Sequence, residues 1–181
     1  YDGEPYYNLG LTLNYQGRIS EAYEAFYKSA WNSAWRGPAY HRLAEIDCGR
    51  SQWENALDHL DRSLRADADN LNARNLKTVV LGRLGRNQEA SNLLSATCEL
   101  DPLDNWSRYL NARTKPLDGQ QRLDFAFDLL RANLLADAAD VLLANCVKME
   151  SALSAMQLYA LAYVYLLLGR KRESDETYQL A

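Results

Sequence analysis

The chain has 181 residues, of which 48% are hydrophobic and 24% charged, enough to bury a substantial core and too apolar for a disordered chain. A formal net charge of −4 with arginines interleaved among acids argues against nucleic acid as a partner, and no apolar run approaches a membrane span or a signal peptide. Cys48, Cys98 and Cys146 fit no zinc spacing and leave at least one thiol free, which favours a reducing, cytoplasmic compartment.

Along the chain one grammar recurs. GRISEAYEAF at 17–26 returns as GRNQEASNLL at 85–94 and as GRKRESDETY at 169–178. Ala22, Ala56 and Ala90 stand 34 residues apart, each followed four positions later by Phe26, Leu60 or Leu94. Tyr6-x-x-Leu9-Gly10 aligns with Tyr40-x-x-Leu43-Ala44. The first unit is placed at 3–36, the second at 37–70 and the third at 71–104. The phase then slips by an insertion at 105–118. A fourth unit at 119–152 carries Ala126, Asn133, Ala138 and Leu142 at matching positions, and a fifth runs from about 155 to 181. Tyr1 is not a methionine and the helical pattern reaches Ala181, so an excerpt of a longer chain is expected.

Each recurring residue type has a physical reason. A small residue at Gly10, Ala44, Ala22, Ala56, Ala90 or Ala138 lets two helix axes approach closely. Leu9, Leu13, Leu43, Phe26 and Leu60 fill the space between helices. Gly17, Gly85 and Gly169 suit a turn that needs left-handed backbone. Glu21 and Glu89 follow that turn and favour the positive end of the second helix. Asp47, Arg74 and Lys77 break the pattern, with Leu76, Val79 and Val80 expected to carry the packing of the third unit. Trp31 and Trp35, four apart before Pro38, are expected to share a helix face and staple neighbouring units.

Taken together the pattern resembles the tetratricopeptide repeat, with its W-x2-L-G-x2-Y, A-x3-F and P positions. The resemblance implies an all-α fold, a right-handed α-solenoid of antiparallel helix pairs in a single array over 1–181. In that family the first helix of each pair lines a concave groove that takes a peptide or protein segment. The positions carried over are Tyr7, Leu11, Asn14, Tyr15, His41, Glu45, Asn75, Arg83, Phe127, Arg131, Tyr159 and Tyr163. Tyr7, Tyr15 and His41 are expected to project from adjacent first helices. The lysines and asparagines that some members use to grip a C-terminal carboxylate are not at these positions.

The stretches EPYYNLGLTLNYQGR, SAWNSAWRGPAYHRLAEID and DNLNARNLKTVVLGRLGR also resemble part of long bacterial proteins that join such an array to a β-rich domain of uncharacterised function, suspected of a carbohydrate role. That likeness implies that any activity belongs elsewhere in the parent chain.

No segment carries a catalytic signature. ADADN at 66–70 starts like a calcium loop but lacks its glycine and its closing glutamate. His41 and His59 stand outside any HExxH motif and read as ordinary surface or groove residues, and GRLG at 82–85 lacks the β-α context of an RNA clamp. The sequence therefore points to a non-enzymatic interaction scaffold with no cofactor, no metal, no catalytic residue and no membrane contact. Two other readings stand beside it. One is an intramolecular scaffold of a carbohydrate-related protein; the other is an oligosaccharide groove using Tyr7, Tyr159 and Tyr163.

Overall fold

The computed structural model describes residues 2–111, 118–143 and 155–181; Cys146 and the end of the fourth unit lie outside them. Among the described residues there are eleven helices and no strand, an all-α helical repeat fold. They belong to two compact units, Tyr1–Asn111 and Ala112–Ala181. In the first unit α1 (Glu4–Tyr15) pairs with α2 (Ile19–Ser29), α3 (Arg36–Gly49) with α4 (Trp53–Ala66), and α5 (Leu71–Arg83) with α6 (Asn87–Leu100). A short α7 (Asn105–Leu110) follows, within the stretch read as an insertion, and buries Trp106. In the second unit α8 (Gly119–Arg131) pairs with α9 (Leu135–Leu143), and α10 (Ala155–Leu167) with α11 (Lys171–Leu180).

Among the described residues every hairpin turns in the same way. Gly17, Gly85 and Gly169 all have φ = 74°. The N–H that follows each returns to a carbonyl five residues earlier: Arg18 to Leu13, Arg86 to Leu81 and Arg170 to Tyr165, each at 2.9 Å. This closure satisfies carbonyls that a helix end leaves open. The arginine side chain then clamps the first turn of the next helix. Arg18 Nε donates to Glu21 Oε1 at 2.8 Å, Arg86 Nε to Glu89 Oε1 at 2.7 Å and Arg170 Nε to Glu173 Oε1 at 2.9 Å. Those hydrogen bonds hold the carboxyls of Glu21, Glu89 and Glu173 below their usual range. The other two turns use residues with side chains. Ser51 (φ 56°) and Asn133 (φ 55°) adopt the same left-handed backbone, with Gln52 N–H bonding to Asp47 O and Leu134 N–H to Leu129 O at 2.9 Å.

Packing follows the small residues. Ala22, Ala44, Ala56 and Ala138 are sealed from solvent. A Cβ added to Gly10 would lie 2.7 Å from the buried Phe26 ring, so α1 and α2 touch at that point. Leu13, Ala22, Ala25, Phe26, Leu43 and Ile46 form one core. Serines tie the open ends of the first two hairpins: Ser29 Oγ donates to Gly3 O at 2.9 Å and Ser63 Oγ to Gly37 O at 2.8 Å.

Three expectations need correction. Leu9 does not fill the space between helices but is 48% exposed, because Leu13 and Gly10 hold the buried side of α1. Ala90 is only half-buried, since α6 seals no residue fully except Thr97. Trp31 and Trp35 share no helix, because α2 ends at Ser29 and α3 starts at Arg36; Trp35 packs on Tyr7 at 4.9 Å while Trp31 is exposed. In the third hairpin Leu76 and Val80 are fully buried and Val79 half-buried. Its off-pattern cations turn to polar partners, Arg74 Nε donating to Thr97 Oγ1 at 3.0 Å and Lys77 Nζ pairing with Asp61 at 2.6 Å.

Ala56→Leu inserts volume at a sealed contact and is expected to cost about 1–3 kcal/mol, whereas Arg65→Ala on the exposed face of α4 leaves the denaturant midpoint nearly unchanged. Equal midpoints for the two variants contradict this helix register. Ser51→Gly is expected to stabilise by up to about 1 kcal/mol, the left-handed cost of roughly 1–2 kcal/mol less the roughly 0.5–1 kcal/mol of added chain freedom. A lower midpoint for that variant means the serine side chain holds more than the backbone does.

Candidate functional site

The first helices are α1, α3 and α5 in one unit, and α8 and α10 in the other. Packing limits which side chains they can offer. On α1, Tyr15 is 85% exposed, and Leu11 and Asn14 are half-buried, Leu11 against the core. Tyr7 does not project. Its ring packs edge-on to Phe26 at 5.6 Å, and its hydroxyl accepts from Arg42 Nε of α3 at 3.2 Å.

Arg42 is a hub that sequence reasoning passed over. Its Nη1 donates to Glu45 Oε2 at 2.7 Å, and His41 Nε2 lies 3.9 Å from the other Glu45 oxygen. Glu45 is thereby buried as a paired charge. Asn75 of α5 is fully buried and donates to Asp104 Oδ2 at 2.7 Å, tying α5 to the start of α7. Arg83 is exposed at the end of α5.

In the second unit α8 and α10 pack against one another. Phe127 and Arg131 of α8 are exposed, with Arg131 paired to Asp128. On α10 Met156, Tyr159, Tyr163 and Leu166 are exposed at spacings of three and four, with Leu167 exposed beside them. They form one apolar stripe along the helix. Tyr159 also meets the Tyr178 ring of α11 at 5.5 Å.

A second constellation lies inside the first unit. Asp47, at a helix position that should be apolar, is fully buried and uses both oxygens: Tyr23 O–H donates to Oδ1 at 3.0 Å, and His59 Nδ1 lies 2.6 Å from Oδ2. His59 Nε2 lies 2.6 Å from the Tyr27 hydroxyl. A carboxylate at Asp47 places the His59 proton on Nδ1, and in that tautomer Nε2 accepts from Tyr27. The Tyr40 ring stacks on His59 at 5.7 Å.

His59 is therefore no surface or groove residue but the centre of a buried brace joining α2, α3 and α4. The available signal was Asp47 itself, since a charge at a core position must find partners. Burial first, then the Asp47 charge, lifts the Tyr23 hydroxyl above its usual range. Burial, reinforced by Glu45 and Asp47, pushes the neighbouring Cys48 thiol up to about 12, which keeps it in the unreactive thiol form.

The order carboxylate, imidazole, hydroxyl also occurs in nucleophilic sites, but here each member is spent on the next and the carboxylate and imidazole are sealed from solvent. Asp47→Ala leaves the buried His59 and the half-buried Tyr23 without their acceptor, and is expected to cost about 1–3 kcal/mol for each donor left unsatisfied, read in urea unfolding. A loss no larger than that of a surface variant means the network contributes nothing to holding the hairpins.

No family model and no curated protein matches the sequence. Solved structures do. The structure of MamA, residues 41 to the end, from Desulfovibrio magneticus RS-1 is 13% identical, with 98% of this chain and 91% of that chain covered at a TM-score of 0.54. YrrB, described as a TPR protein with an unusual peptide-binding site, is 19% identical, with 99% of this chain and 84% of that chain covered at a TM-score of 0.51. The chain has the fold of these tetratricopeptide-repeat proteins.

Proposed function

We propose that the protein is a non-enzymatic interaction scaffold whose first-helix faces take a peptide or protein segment. The observation that carries this reading is the stripe Met156, Tyr159, Tyr163 and Leu166 on α10, with exposed Phe127 on the adjoining α8. An apolar row of this length, held on a rigid helix, costs free energy in water and regains it under a partner. Tyrosines suit the task because they bury large area while losing little rotamer freedom. Arg131 at the end of α8 adds a polar rim. In the first unit Tyr15 offers a single aromatic anchor with His41 and Arg83 on the neighbouring first helices, while Tyr7, Glu45 and Asn75 serve the packing that holds those helices. Peptide binding by YrrB, which shares the fold, supports the same use in this chain.

The test combines Tyr15→Ala, Tyr159→Ala and Tyr163→Ala in one chain and compares its captured proteins and its melting curve with those of the parent. Retained folding with lost capture is the expected result, each anchor that matters costing about 2 kcal/mol or more of binding. A variant that melts early shows these tyrosines to be packing residues. A variant that stays folded and keeps its partners puts binding on another face.

A further inference from the structure

Away from the first-helix faces, a pocket of about 680 Å³ opens between the α2–α3 turn, α3 and α4. Arg36, Arg62, Arg65, Tyr40 and Asp58 line it. It sits on a different side of α3 from His41 and Glu45, because Arg36 and Tyr40 share one row of that helix and His41 and Glu45 the next. Three guanidinium groups face one carboxylate there, in a chain whose net charge is −4. Asp58 is already engaged by Arg62 Nε at 2.9 Å. Arg36 Nε donates to Ala30 O at 3.4 Å and Arg65 Nε to Asp61 O at 3.2 Å, so each uses a backbone carbonyl and no carboxylate among the described residues lies within ion-pair distance of either.

The wall of this pocket is held in place from behind. Tyr40 stacks on His59, which Asp47 fixes, and Tyr27 meets the Tyr40 ring edge-on at 6.3 Å. Arg62 lies over the Tyr40 ring at 5.5 Å and donates to its hydroxyl at 3.4 Å, which leaves the phenol proton to donate outward. A rigid phenol and arginines of unmatched charge form a preorganised set of donors, and guanidinium forks match carboxylates two bonds at a time.

We propose that this pocket binds a carboxylate-bearing peptide segment, a second interaction site independent of the first-helix faces. The volume favours a peptide over a lone inorganic anion, since it admits several residues of chain and a single anion leaves most of it unfilled. Arg36 and Arg65 pair with its carboxylates, and Tyr40 donates to a third acceptor.

The experiment measures fluorescence anisotropy of a labelled oligoglutamate peptide and its oligoglutamine counterpart against the whole chain, at low and at moderate salt. Inorganic phosphate serves as competitor. Binding of the glutamate peptide alone, weakened by salt, is expected. Arg36→Gln with Arg65→Gln should weaken it by about tenfold or more, and Tyr15→Ala should leave it unchanged. Both arginines are exposed, so the double variant is expected to melt with the parent. Should it melt early, Arg65→Gln alone, whose Nε bonds only within its own helix, still has to lower the affinity severalfold. The proposal is overturned if the glutamate peptide does not bind, if the arginine variants bind it as well as the parent, or if phosphate binds more tightly than the peptide.

Discussion

The fold depends on how closely the two helices of each hairpin can approach. Gly10 against the Phe26 ring, and the sealed alanines at 22, 44, 56 and 138, bring backbones into contact where a larger side chain would hold them apart. Close packing of this kind gains dispersion energy across the whole contact and leaves no gap for water. On the helices that carry these residues it also fixes the rotation, because a small residue can face its partner in only one register. Once that rotation is set, the remaining positions on each helix are assigned either to the core or to the outside. The turns reinforce the same register. Among the described residues five left-handed residues close five hairpins with the same pair of backbone bonds, whether the residue is glycine, serine or asparagine.

The buried brace of Asp47, His59, Tyr23 and Tyr27 works at the next level. Taking a carboxylate out of water is costly, and Asp47 offsets that cost by accepting at both oxygens. The partners come from α2 and α4, so the brace specifies how one hairpin sits on the next as well as how one helix sits on its mate. Apolar packing alone tolerates small slides between hairpins; a set of short directional bonds does not. The brace also reaches the surface. By stacking on His59, Tyr40 carries the order of the interior to the wall of the arginine pocket.

Two surfaces of different chemistry result. The α8 and α10 face offers aromatic and aliphatic area, which selects for burial and shape. The pocket beside α4 offers charge, the chemistry on which the proposed binding of an acidic segment rests. Both are presented by helices whose opposite sides are packed in the core.

The sequence by itself determined the hairpins. The 34-residue spacing of Ala22 and Ala56, the glycines at 17, 85 and 169 and the glutamates that follow them are local signals, each acting within one or two helical turns, and local signals survive in a linear string. Asn133 was legible in the same way, because asparagine tolerates left-handed backbone; Ser51 was not, because serine gives no such sign. Tertiary structure alone decided which candidate groove residues stay at the surface. Tyr7 and Asn75 occupy groove positions in the pattern, yet contacts with Arg42 and Asp104, 35 and 29 residues away, draw them into packing. It alone also paired Asp47 with His59, and brought Arg36, Arg62 and Arg65 around one pocket. The reason is physical: helical periodicity tells which side of a helix a residue is on, but the neighbour that meets that side comes from another helix, at a separation no short-range pattern records.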